Sequence, residues 1–367
     1  MQGNSPYQGL AARAYWRTGL AETPYPPAGI YQPKWRLAKT DRIVTAGSCF
    51  AQHVGRALRR NGFNVLDGEP APDRIPADQV SRYGYGLYSA RYGNIYTARQ
   101  LRQLLEEAWD IAPDFDAIWH KDGRCYDALR PNIEPDGFPD EATLRQARLL
   151  HLAKVREVFS QADVFVFTLG LTEAWMHKPT GQVYPTAPGT IAGSFDEALH
   201  GFVNFRLAEV RADLLAALAR LKALNPGLRV LLTVSPVPLT ATASGDHVLP
   251  ATSYSKSVLR ACAGELAADF PEIDYFPSYE IVTSTKAGAS YFEPNLRSVT
   301  DEGVARVMAV FTRAHLEDGS SDAGPAPEPE SESESESEAG DQNREDRKDR
   351  RAQRQERRER RRAGKEA

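Results

Sequence analysis

Along the chain, apolar residues fall in short continuous runs separated by longer stretches in which they recur every three or four positions. Ile43-Val44-Thr45-Ala46, the run from Val164 to Leu169 and "RVLLTV" before Ser235 are of the first kind. Runs without two-residue alternation predict strands buried on both faces. "FNVLDG" from Phe63 and "IDYFPSYEIV" from Ile273 predict two shorter strands. Helical spacing appears after Phe50, over 98–111, 141–161, about 206–224, 255–270 and from near Thr300 to His315. The stretch 112–140 carries Pro, Gly and Asp throughout and predicts an ordered excursion or small lobe. Strands that alternate with helices predict an α/β fold whose mostly parallel sheet is covered on both faces. In open sheets of this kind a site lies at the carboxyl ends of strands.

Three strand ends are therefore of interest: Gly47-Ser48, Gly170-Leu171-Thr172-Glu173 and Ser235-Pro236-Val237. At the first, "RIVTAGSCFAQHVGRALRRNGF" runs from a β-branched strand straight into a helix. Ser48 at that turn has two readings. It caps the helix through its side-chain oxygen, or it is a nucleophile presented at the sheet edge beside free helix N–H groups. Cys49 beside it is either a second nucleophile, with a thiol activated by the helix terminus, or a small buried residue packed behind the turn. The expectation is that Ser48 takes the exposed position and Cys49 the buried one.

The charge balance is nearly even, 45 Lys and Arg against 49 Asp and Glu over 367 residues, so whole-molecule charge predicts no partner. The composition changes at about Asp318. The stretch 318–367 is Pro/Ser/Glu-rich and then Arg-rich, reading as a solvated, disordered tail after a folded body of residues 1–317. No aromatic residue interleaves with those arginines, so nucleic-acid binding is not expected. Cys49, Cys125 and Cys262 are widely spaced and form no metal-ligand pattern. Their usage, a polar N-terminus and the lack of a spanning apolar run point to a cytoplasmic protein without a membrane span. "GSCFAQH" fits neither glycine-rich phosphate motif, and no cofactor or metal is expected.

The pentapeptide Gly47-Ser48-Cys49-Phe50-Ala51 resembles the name-giving motif of the GSCFA domain family, itself similar to the SGNH/GDSL hydrolases. The resemblance extends through "YGNIYTARQL", "FTLGLTEAW", "VSPVPL", "YSKSVLRA" and "YFPSYEIV", covering about residues 40–315. It implies a three-layer α/β/α, flavodoxin-like fold and ester or acyl chemistry on a serine. Ser48 then looks like the nucleophile. Gly93, with Asn94 beside it in "YGNIYT", is similar in place to the second-block glycine that serves the oxyanion. Gly170-Leu171-Thr172-Glu173 stands where the related enzymes carry Gly-x-Asn-Asp, which puts Thr172 at the oxyanion position and Glu173 at its acidic neighbour.

The related enzymes carry an Asp-x-x-His pair before the last helix. Here "YFEPNLRSVTDEG" contains no histidine; Asn295 and Ser298 stand in that place, and Arg297 cannot take a proton at neutral pH. The base must come from elsewhere. His247, in the small polar loop "TATASGDHVLPATS", is the leading candidate, followed by His177 and His53, with Glu173, Glu280 or Glu293 as the orienting acid. The expected function is a serine-dependent ester hydrolase or acyltransferase acting on a small-molecule or glycan ester. The alternative is a degenerate member that binds a glycan or lipid head group with Arg297, Lys256 and Tyr254.

Overall fold

The structure is a computed structural model that describes residues 5–109 and 117–316. The tail expected from Asp318 onward lies outside the described residues. A short helix α1 (Trp16–Ala21) precedes β1 (Ile43–Gly47), α2 (Phe50–Arg60) and α3 (Ala98–Trp109). A hairpin of β2 (Ile118–Lys121) and β3 (Arg124–Asp127) leads to α4 (Glu141–Gln161) and β4 (Val164–Leu169). Next come β5 (Glu173–His177), β6 (Val183–Tyr184), β7 (His200–Asn204) and α5 (Leu207–Leu224). The chain continues with β8 (Arg229–Val234), α6 (Val248–Asp269), β9 (Ile273–Phe276), α7 (Ser278–Thr283) and α8 (Asp301–Leu316).

The central sheet has the order β1-β4-β8-β9, and every pair in it is parallel. A fifth segment pairs at its edge, where Val65 forms a parallel bridge to Ile43. With that segment taken second in chain order, the strands run 2-1-3-4-5, the flavodoxin-like arrangement. Side chains of each strand alternate between two cores. Val44, Ala46, Phe165, Phe167, Val230 and Leu232 face the layer of α3 to α6. Ile43, Val164, Val166, Leu231 and Phe276 face α2, α7 and α8. Burial on both faces is why these strands read as continuous apolar runs.

Three differences from the sequence reading have local causes. The strand expected from Ile273 stops at Phe276 and turns into α7 at Pro277, which has no N–H for the ladder. Helix α6 starts at Val248, earlier than expected, because Pro250 falls in its first turn, where N–H groups lack intrahelical partners anyway. The segment after Gly170 forms a small antiparallel sheet, β6-β5-β7, whose two- and five-residue strands are too short and polar to signal in sequence. Part of the predicted excursion is seen as the β2–β3 hairpin, with Trp119 and Tyr126 packed beside Tyr184. On the other side a strap before β1 lies over the second core: Tyr31 and Leu37 are buried in it. The Tyr31 hydroxyl donates to Asp274 Oδ2 (2.9 Å), and Lys34 Nζ donates to the Ile273 carbonyl (2.8 Å).

Candidate functional site

The carboxyl ends of β1 and β4 are neighbours in the sheet, at the point where the strand order reverses, which is where open α/β sheets form their crevice. Gly47 makes the approach possible. Its φ is +139°, and a Cβ there would stand 2.4 Å from the Thr168 carbonyl oxygen, so only glycine fits. The next residue continues the ladder: the Ser48 N–H donates to Thr168 O at 3.1 Å. Its carbonyl accepts from Ala51 N–H (2.8 Å) and from the Tyr88 hydroxyl (3.3 Å). The Ser48 side chain is pressed against β4's exit, where a Cβ on Gly170 would come within 2.9 Å of Ser48 Cβ.

Ser48 does not cap α2. Its Oγ is buried and has no hydrogen-bond partner, a state that costs about 1–3 kcal/mol for a hydroxyl and calls for a reason. The position before α2 is taken by Cys49 in helical conformation, and no side chain caps the helix start. The expected exposures are reversed: Ser48 is 2% exposed and Cys49 is partly exposed. The extended ladder bond holds Ser48 in the sheet layer, so the next residue, already helical, is the one turned outward.

The Gly170 carbonyl is the second half of the site. It accepts from Lys256 Nζ at 2.6 Å. Lys256 projects from α6 and is 1% exposed, so burial pushes its ammonium well below the lysine range, to about 7. Arg297 nearby pushes the same way, and Cys49 opposes. Arg297 rides on a tight loop closed by the Phe292–Val299 bridge, in which Asn295 Oδ1 accepts from the N–H groups of Arg297 and Ser298 (both 2.9 Å). The loop that lacks Asp-x-x-His thus brings a guanidinium up to a buried amine.

The other expected residues are spread around this centre. The fully buried Thr172 gives its hydroxyl to Asn204 Oδ1 (2.7 Å) and its N–H to Ser255 Oγ (2.9 Å). Glu173 accepts from the Thr242 hydroxyl (2.7 Å), and burial raises its pKa, with Asp246 adding to the rise. Gly93 has φ +67° and lies over Arg130. Asn94 bonds the Tyr88 and Tyr96 hydroxyls, and so reaches the Ser48 carbonyl through Tyr88. His247 is exposed and is itself the cap of α6, its Nδ1 accepting from Leu249 N–H (3.1 Å). It stands nine residues before Lys256, about 13 Å along the helix. His177 bonds Thr180 (2.9 Å), and His53 bonds Arg56 (3.2 Å) and is pushed down to about 4, mainly by burial. Glu280 is tied to Arg260 and Tyr275, and Glu293 is exposed. No side chain, imidazole or amine, hydrogen-bonds Ser48 Oγ in the resting protein. Among the described residues no group of three or more His, Cys, Asp or Glu is arranged to hold a metal ion.

Lys256 is the residue that the sequence reading named only for binding. Its signal was present: it lies three residues before Leu259 and seven before Ala263, on the apolar stripe of α6. A lysine there must either reach out to water or be buried with a purpose.

No curated protein matches the chain. The sequence model of the GSCFA family matches residues 42–311, from the Arg before β1 to Phe311 of α8, and so spans every element of the site. The chain belongs to the GSCFA family.

Proposed function

We propose that this protein is an ester hydrolase or acyltransferase that works through a covalent acyl intermediate on Ser48. The observation that carries the reading is the buried, unpartnered Ser48 Oγ at the switch point of the sheet, against a glycine whose carbonyl holds a buried lysine. A buried hydroxyl with no partner at rest gives up no hydrogen bond when it attacks an acyl carbon. No side chain caps the first turn of α2, and with the Ala51 and Gln52 N–H groups on the Ser48 and Cys49 carbonyls, the Phe50 N–H is the one left to face the developing oxyanion. The donors suggested by resemblance are occupied in the resting state: the Ser48 N–H is on Thr168 O and the Thr172 hydroxyl is on Asn204. The substrate class we propose is a small-molecule or glycan ester, to which Arg297, beside Lys256, offers a cation.

One observation favours a second reading. Cys49 is the more open of the two adjacent side chains, so a substrate entering along α2 meets the thiol first. In that reading Cys49 attacks and Ser48 packs beneath it.

A fluorophosphonate probe and p-nitrophenyl acetate separate the two. The wild type is expected to be labelled at Ser48, and Ser48→Ala to lose at least about 10³-fold in rate, while Cys49→Ala stays active. Loss in Cys49→Ala with Ser48→Ala active would make this a thiol enzyme. A folded wild type labelled at neither residue would leave a binding protein for a glycan or lipid head group.

A further inference from the structure

We propose that Lys256 is the general base of this site, taking the place of the histidine that the loop before α8 lacks. The inference rests on the reading of Ser48 as nucleophile and names its missing partner. Two geometric facts and the electrostatic surroundings of the amine carry it. Lys256 and Ser48 converge on one residue, Gly170, the amine on its carbonyl and the serine Cβ against its Cα side. Lys256 is fully buried, yet among the described residues its one hydrogen bond goes to a neutral carbonyl and no carboxylate pairs with it. A lysine held as a cation in such a place costs far more than a neutral one. Third, the groups that bear on it electrostatically are few: Cys49 from the β1–α2 turn and Arg297 from the 292–299 loop. From its own helix its neighbour Ser255 is neutral and is engaged by the Thr172 N–H.

Burial and the Arg297 guanidinium bring the amine to about 7, where half of the molecules carry a free lone pair at neutral pH. A neutral amine donates one N–H to Gly170 O and keeps its lone pair free to accept a proton. The reaction then balances. Nζ and Oγ are not hydrogen-bonded at rest, so Lys256 Nζ accepts the Ser48 hydroxyl proton through one bridging water as Oγ forms a bond to the ester carbonyl carbon. The carbon–alkoxy bond breaks, and the leaving alcohol departs with the proton from the Lys256 ammonium. Water or an acceptor alcohol gives its proton to the same amine as it attacks the acyl-Ser48, and Ser48 Oγ recovers that proton on release. Arg297 acts on this step through Lys256, as a positioning and tuning residue: its charge makes the amine less basic, so that it is mostly unprotonated above neutrality.

The test follows acetylation of Ser48 in the full chain by p-nitrophenyl acetate, read by mass spectrometry of the Ser48 peptide from pH 5 to 10. The wild-type rate is expected to rise with pH with a midpoint near 7. Lys256→Met and Lys256→Arg should each fall about 10²- to 10⁴-fold, the first without an amine, the second with a cation that cannot accept a proton. Arg297→Gln should move the midpoint to higher pH, a shift that a merely structural arginine would not produce. Melting of each variant checks that it folds. If Ser48 is acetylated but Lys256→Met keeps its rate and Arg297→Gln keeps its midpoint, Lys256 is not the base, and the serine reading stands alone. If wild-type Ser48 takes no acetyl group at any pH, both fall together.

Discussion

Gly170 serves two neighbours that compete for the space a side chain would fill. On one side lies Ser48 Cβ, 2.9 Å from where a Cβ would be, and on the other the Tyr96 carbonyl, 3.0 Å away. Its backbone carbonyl meanwhile fixes Lys256. Gly170→Ala must therefore push either the serine or the 94–96 loop aside by several tenths of an ångström. Overpacking of this size costs about 1–3 kcal/mol in stability, but the effect on chemistry should be larger, because reacting groups tolerate little displacement. We expect Gly170→Ala to remain folded, with a lowered urea midpoint, and to acylate Ser48 at least about 10²-fold more slowly. An unchanged acylation rate would mean that Ser48 and Gly170 do not form one site. The strand-end glycines were legible in the sequence as punctuation. Which side chain each would touch was not, because that depends on the parallel register Gly47 to Thr168, a contact across more than a hundred residues.

Helix α6 carries the conflict between fold and chemistry at the level of an element. Its apolar stripe of Val258, Leu259, Cys262, Ala263 and Leu266 packs into the core, and Lys256 continues that stripe where an apolar residue would pack better. The sign of the pH effect follows from the two protonation states. In the unfolded chain Lys256 holds its proton up to about 10.5; in the fold it gives it up near 7. The unfolded state thus binds more protons between those values, and the penalty is full at and below pH 7 and fades as pH rises toward 10.5. Lys256→Met lacks the penalty throughout. It should be more stable than the wild type by about 1–3 kcal/mol at pH 6, and the gap should close toward pH 10, read from urea midpoints at the two pH values. A gap that stays constant would show that the buried amine is not what the substitution relieves. The alternation of strands and helices was readable from periodicity alone. The small sheet of β5, β6 and β7 was not, since strands of two to five residues with polar faces carry no period that distinguishes them from loop. Nor was the base proposed above: His247, His177 and His53 drew attention by residue type, whereas the buried amine is defined by what surrounds it.

At the scale of the whole molecule, the two cores are closed differently. The core under α3 to α6 is sealed by long helices, while the one under α2, α7 and α8 is completed by the strap before β1. Tyr31 and Leu37 are two of its buried side chains, 7% and 4% exposed. The Leu37 N–H donates to His315 Nδ1 at 3.3 Å, near the end of α8, and burial with Arg36 and Arg229 nearby pushes that imidazole down to about 4. Burying two such side chains stabilises by about 3–6 kcal/mol, a large share of the stability of an ordinary domain. The GSCFA match runs from 42 to 311, so a fragment cut at those positions loses the strap and His315 together. Such a fragment is expected to melt well below a chain spanning 25–316 and to elute as larger species on a sizing column. Equal melting and a monomeric elution would show the strap to be dispensable. The strap's amine and side-chain bonds also fall on β9, the last strand of the sheet. A last strand left bare is a template for another chain, so removal of the strap is expected to favour self-association, and any excised fragment would need its own substitute for that cover.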